Sequence, residues 1–234
     1  GKMEWIIVDD GTDKIKDLVK DIPEVKYHTL KNKVTIGYKR NVLNSLCKGE
    51  IIVNMDDDDY YPPERVSHCV ETLVNNREYL IAGCDKHFIY FGKPENNLYT
   101  IGPYQRNHAT AATYAYRKAL LKTNRYDNTK TFAEERSFLN NYTVPMIQMN
   151  MYKSIVVFAH IYNTVDKKKL LTKRKSSNAK KSNIELSTII KNDFCRNFIL
   201  KSHSILRQYK KGHINNKKSL ILHKRRSYKK NFFF

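Results

Sequence analysis

The 234 residues include 43 Lys+Arg and 23 Asp+Glu, a formal net charge of +20, with 41% hydrophobic and 12% aromatic residues. That composition supports one sizeable core and excludes a wholly disordered chain, a collagen-like fibre and a disulfide-stapled miniprotein. No run approaches the roughly 18 to 20 apolar residues that span a bilayer, and the start, GKMEWIIVDD, lacks the basic and apolar regions of a secretory leader. Cys47, Cys69, Cys84 and Cys195 form no CxxC pair and show no metal-ligand spacing, so they read as reduced thiols of a cytoplasmic protein.

In chain order, EWIIVDD is a short apolar strand running into acids, with Trp5 expected in the core. A helix over Lys14–Lys20 closes before Pro23, and VKYHTL is a second strand. GYKRNVLNSLCKG has helical spacing at Val42, Leu43 and Leu46 and is expected to stop at Gly49. EIIVNM is a third strand that again ends in acids, and PPERVSHCVETLVNN starts a helix with proline in its first turn. Strand-like pieces follow at Tyr79–Ala82, His87–Phe91, Leu98–Ile101 and Ala111–Tyr116, then a helix through Glu134–Asn140 and strands at Met146–Met149 and Ile155–Ala159. This alternation predicts an α/β domain with a largely parallel sheet.

The charge is segregated. Residues 166–234 hold 21 Lys+Arg against Asp166, Glu185 and Asp193, a net of +18, which leaves +2 for everything before them. A domain over 1–165 followed by a basic extension over 166–234 is the expected organisation. Within the extension, Ile184–Leu206 is expected as one amphipathic helix, with Ile190, Phe194 and Phe198 four residues apart.

The two acidic strand ends carry the chemistry. Ile6-Ile7-Val8 leads into Asp9-Asp10, and Ile51-Ile52-Val53 leads through Asn54-Met55 into Asp56-Asp57-Asp58-Asp59. Buried parallel strands read as continuous apolar runs, and ligands of open α/β sheets bind beyond their carboxyl ends. Six carboxylates at one edge repel each other unless a cation or donors compensate. Such oxygen-rich sites suit Mg2+ or Mn2+ with a phosphate as co-ligand. Taken one at a time, each cluster is also what a solvated acidic loop looks like.

In order and spacing, VDDGT followed by GYKRNVLNSLCKGEIIVNMDDDDYYPPERV resembles glycosyltransferase family 2, the inverting enzymes of the GT-A fold. The resemblance runs on through FAEERSFL and FAHIYNT, covering roughly residues 3–165 and none of the basic extension. It implies a Rossmann-like sheet flanked by helices and metal-dependent transfer from a nucleotide diphosphate sugar, by family frequency a UDP-sugar, to a hydroxyl acceptor. Asp9 and Asp10 would then form the nucleotide pocket, Arg40 would lie near the diphosphate and Asp56 near the ribose. Asp58, from the DxD-type motif, would hold Mn2+ or Mg2+ with His160. Glu135 would be the general base beside Glu134, with glutamate standing where the family has aspartate.

Family members begin with a further strand and loop before the VDDGS-like strand, so a domain lacking that strand is the expectation from this sequence. The alternative is an inactive or truncated GT-A-like protein. It would act through residues 166–234, at an anionic membrane surface or on nucleic acid, by phosphate attraction. A metal-dependent nuclease would explain the Asp run and the basic extension but not VDDGT or AEERSFL.

Overall fold

The computed structural model describes residues 2–94, 97–164, 166–172 and 179–208. Strands β1 (Trp5–Asp9) and β2 (Val25–Thr29) pair in parallel around the short helix α1 (Lys16–Val19). Helix α2 (Ile36–Leu46) leads to β3 (Ile51–Val53), and α3 (Arg65–Asn75) leads to β4 (Ile81–Gly83). Then come β5 (His87–Tyr90), β6 (Leu98–Ile101), β7 (Ala115–Arg117), α4 (Glu135–Phe138), β8 (Met146–Gln148) and β9 (Val156–Phe158). The extension supplies α5 (Lys169–Thr172), β10 (Lys180–Lys181), α6 (Leu186–Ile189) and α7 (Asp193–Gln208).

The architecture is the expected α/β one, but the expected largely parallel sheet is mixed. Besides β1–β2, one sheet has the order β3-β7-β4-β8 and another β10-β6-β5-β9. β7 runs antiparallel to both β3 and β4, and β6 is antiparallel to β5 and β10, while β4–β8 and β5–β9 are parallel. The connection from β5 to β6 is too short for a crossover, so those two strands pair antiparallel.

The first core packs Ile52, Ile81, Tyr114, Tyr116, Tyr126, Phe138 and Met146. The second packs Phe88, Tyr90, Leu98, Val156 and Phe158 against Leu186, Ile189 and Ile190. Residue 165 is therefore not a division in packing, because β10 extends β6 and α6 buries its apolar residues in the second core. The single helix expected over 184–206 is two, since the chain leaves helical geometry at Ile190, where ψ is 88°. Trp5 is not core either. It is 45% exposed, because β1 pairs only with β2 and none of its residues is fully buried.

Helix α2 is the element that positions the site. Thr35 caps it, its hydroxyl accepting from the Tyr38 amide at 3.3 Å. The helix ends at Leu46 rather than Gly49, because the Glu4 carboxylate takes the Lys48 and Gly49 amides. Its buried face is Gly37, Arg40 and Asn44, not the apolar positions the spacing suggested. Gly37 is required there, since a Cβ would lie 2.0 Å from the Asp127 carbonyl oxygen. Asn41 fastens the same loop, donating to the Tyr126 carbonyl at 2.7 Å and accepting from its amide at 3.0 Å.

Candidate active site

At the end of β1, Asp9 is occupied with its own loop. Its carboxylate accepts from the Gly11 amide at 2.8 Å, the Ile15 amide at 3.1 Å and the Tyr27 hydroxyl. Burial acts to raise its pKa, but those donors and Lys14 outweigh it and hold the group below the usual carboxylate range. Asp10 accepts from the Val34 amide at 3.0 Å and pairs with Lys39 of α2, and these partners likewise overcome desolvation to lower its pKa.

One turn of α2 carries the next pairing. Arg40 is buried between two carboxylates, with Nε 2.8 Å from Glu134 and Nη2 3.1 Å from Asp56. Its guanidinium also lies 5.9 Å from the Tyr126 ring centroid. Desolvation disfavours the cation, yet Asp56, Tyr126 and Glu134 together push its pKa well above the ordinary arginine value. Arg40 thus ties the β3 acid run to the start of α4, elements far apart in sequence.

Helix α4 presents its two glutamates differently. Glu134 is committed to Arg40. Glu135 accepts the Ala111 amide at 3.1 Å, and burial followed by the neighbouring Glu134 charge raises its pKa despite the backbone donors that oppose it.

The Asp run meets β9 through a local pairing. Tyr60 and Val156 exchange backbone hydrogen bonds of 3.0 and 2.9 Å, which brings the residue after the run onto the second sheet. Asp59 then accepts from the Phe158 amide at 2.8 Å, and its burial, with Asp58 and Asp56 nearby, raises its pKa to about 7. Asp58 lies 3.0 Å from both His160 Nε2 and Asn163 Nδ2. Burial opposes ionisation of Asp58, but His160, Lys167 and Asn163 win, and its pKa is lowered. Asp57 is raised by burial and by Asp58.

Among the described residues no cluster of three or more His, Cys, Asp or Glu side chains is placed to hold a metal ion. The donor set is the carboxylate–imidazole pair Asp58–His160 with the Asn163 amide beside it. Two protein donors fit a hard divalent ion whose remaining positions are filled by phosphate and water, and do not fit an all-protein cage.

The structure therefore joins Arg40, Asp56 and Glu134 in one network, Asp58 with His160, and Asp10 with Lys39, while Asp9 is held by the loop after β1 and by Tyr27 of β2. Sequence reasoning gave no role to Lys39, Asn163 or Arg65. Lys39 and Asn163 lie inside the quoted strings YKRN and FAHIYNT. Arg65 lies in PPERV, is almost fully buried, and donates to the Asn54 and Tyr114 carbonyls at 3.5 and 3.4 Å, bracing the end of β3 just before the Asp run.

The model of glycosyl transferase family 2 matches residues 1–143. No curated protein is recognisably similar to the chain. Among solved structures, the mannosyltransferase PcManGT from Pyrobaculum calidifontis, in complex with GDP-Man and Mn2+, superposes with a TM-score of 0.51 at 12% identity, over 68% of this chain and 49% of that one. S. aureus TarS 1–349 gives a TM-score of 0.49 at 19% identity, over 67% of this chain and 51% of that one. The chain thus spans about half the length of these two structures, and at 12% identity the likeness to PcManGT is one of fold.

Proposed function

We propose, for a chain that belongs to glycosyl transferase family 2, that it transfers a sugar from a nucleotide diphosphate sugar to a hydroxyl acceptor. The reaction is metal-dependent and inverts the anomeric centre, and the donor is a UDP-sugar. The observation that carries this reading is the buried Arg40. It bonds Asp56, after β3, and Glu134, just before α4, and the neighbouring Glu135 has a raised pKa.

The acceptor hydroxyl loses its proton to the Glu135 carboxylate as its oxygen attacks the anomeric carbon and the bond to the diphosphate breaks. A single displacement of this kind inverts that centre and needs no second carboxylate as nucleophile. Glu134 is engaged by Arg40, accepting from its Nε at 2.8 Å. Arg40 fixes the distance between the donor end and the base end of the site. Asp9 shapes the nucleotide pocket by ordering the loop after β1, and Asp10 does so through Lys39 and Val34. Asp58 and His160 would hold Mn2+ or Mg2+, which would supply Lewis-acid stabilisation of the leaving diphosphate. The free thiols fit a cytoplasmic setting.

The test is release of UDP from UDP-sugars in the presence of Mn2+, with and without candidate hydroxyl acceptors. Product of inverted anomeric configuration supports the proposal. Retained configuration, or turnover unaffected by Glu135→Gln, contradicts it.

A further inference from the structure

The transfer chemistry leaves the outward face of α7 unused. On its inner face Cys195, Ile199, Leu200 and Leu206 pack on the second core, and the His203 ring meets Phe158 edge-on, 4.8 Å between centroids. On the opposite face Phe194 and Phe198 are 45% and 49% exposed. Four residues apart on one helix, their rings share a stripe. Exposed Lys201 continues that stripe, and exposed Lys191 stands just before the helix. Two phenyl rings left in water on a helix that is otherwise docked mark a contact surface.

The charge of the sequence before and after α7 says what this face contacts. Lys180 and Lys181 of β10 are exposed, and the sequence from Tyr209 to the last residue holds nine Lys+Arg and no acid. A second copy of the chain would bring two strongly basic segments together, which is repulsive. Nucleic acid favours Lys and Arg on the contacting stripe itself, where here phenyl rings stand beside a single lysine. An anionic lipid surface takes both features, with the rings at the headgroup–acyl boundary and the lysines on phosphate. We propose that the Phe194–Phe198 face of α7, with the basic sequence around it, docks the protein on an anionic membrane surface. Tyr162 donates to the Leu206 carbonyl at 3.2 Å, which ties the loop carrying His160 and Asn163 to the C-terminal part of α7.

The test is co-sedimentation of the full chain with vesicles of phosphatidylcholine alone and with vesicles containing about one-third phosphatidylglycerol. Binding to the anionic vesicles, weakening as salt rises, is expected. Phe194→Ser with Phe198→Ser should weaken it about tenfold or more, with the melting temperature unchanged. The lipid readout needs no sugar donor, so it stands or falls apart from the transferase proposal. Absence of binding to anionic vesicles overturns the inference, as does equal binding by the double variant. Preferential retention on a labelled oligonucleotide, or a dimer that the double substitution dissolves without any lipid binding, also overturns it.

Discussion

At the scale of single residues, Glu135 and Glu134 are neighbours with opposite duties. Glu135 is raised by burial and by the Glu134 charge, and as a base it works only when ionised. The rate should therefore climb with pH through that raised value, with its acidic limb above the ordinary glutamate range near about 4.3. Glu135→Gln should remove the limb and lower kcat by about 10²- to 10⁴-fold, with the donor KM little changed. Glu134→Ala should act on stability instead. It leaves the buried Arg40 Nε without its acceptor while Asp56 still pairs with the guanidinium, at a cost of about 1–3 kcal/mol in chemical denaturation. The Asp58–His160 pair was legible because both residues sit in ordered motifs. The Arg40–Glu134 pair was not, because two residues 94 apart meet only through the docking of α2 on the loop before α4. The pairing of Asp9 with Tyr27 likewise depends on β1 and β2 lying in parallel register.

At the scale of elements, α2 shows where periodicity misleads. Its apolar spacing found the helix but chose the wrong face, since the buried positions are Gly37, Arg40 and Asn44. A helix that walls a polar site turns polar residues inward, and the amphipathic pattern that marks an ordinary core helix does not apply to it. Gly37→Ala tests that docking directly. The added methyl meets the Asp127 backbone, so a loss of about 1–3 kcal/mol is expected in thermal or denaturant melts. A neutral result would mean that the 127–130 loop does not pack on α2 as described. Strands β5, β6, β8 and β9 were legible nearly to the residue from their apolar runs. Ala111–Thr113 was not, because a 3₁₀ turn there precedes the shorter strand β7. The single 184–206 helix failed at Ile190 and Lys191, where burial of Ile190 in the second core turns the chain.

At the scale of the whole molecule, the charge boundary in the sequence is real but is not a packing boundary. Composition shifts at residue 166, whereas Leu186, Ile189 and Ile190 complete the second core beneath β5, β6 and β9. Leu186→Ala should accordingly cost about 2–5 kcal/mol and lower the melting temperature of the entire fold. An unchanged melt would assign residues 179–208 to an appendage. The same second core carries β9 and, beyond it, His160, so the extension supports one end of the site while α2 supports the other.

The most direct measurement is calorimetric titration of the chain with UDP, with and without Mn2+, beside Asp58→Asn. The expected result is binding that Mn2+ strengthens by at least about tenfold and that Asp58→Asn makes insensitive to the metal while the protein stays folded. Absence of UDP binding by the folded chain, or a metal effect that survives Asp58→Asn, would contradict a nucleotide-sugar site built on the acids after β3.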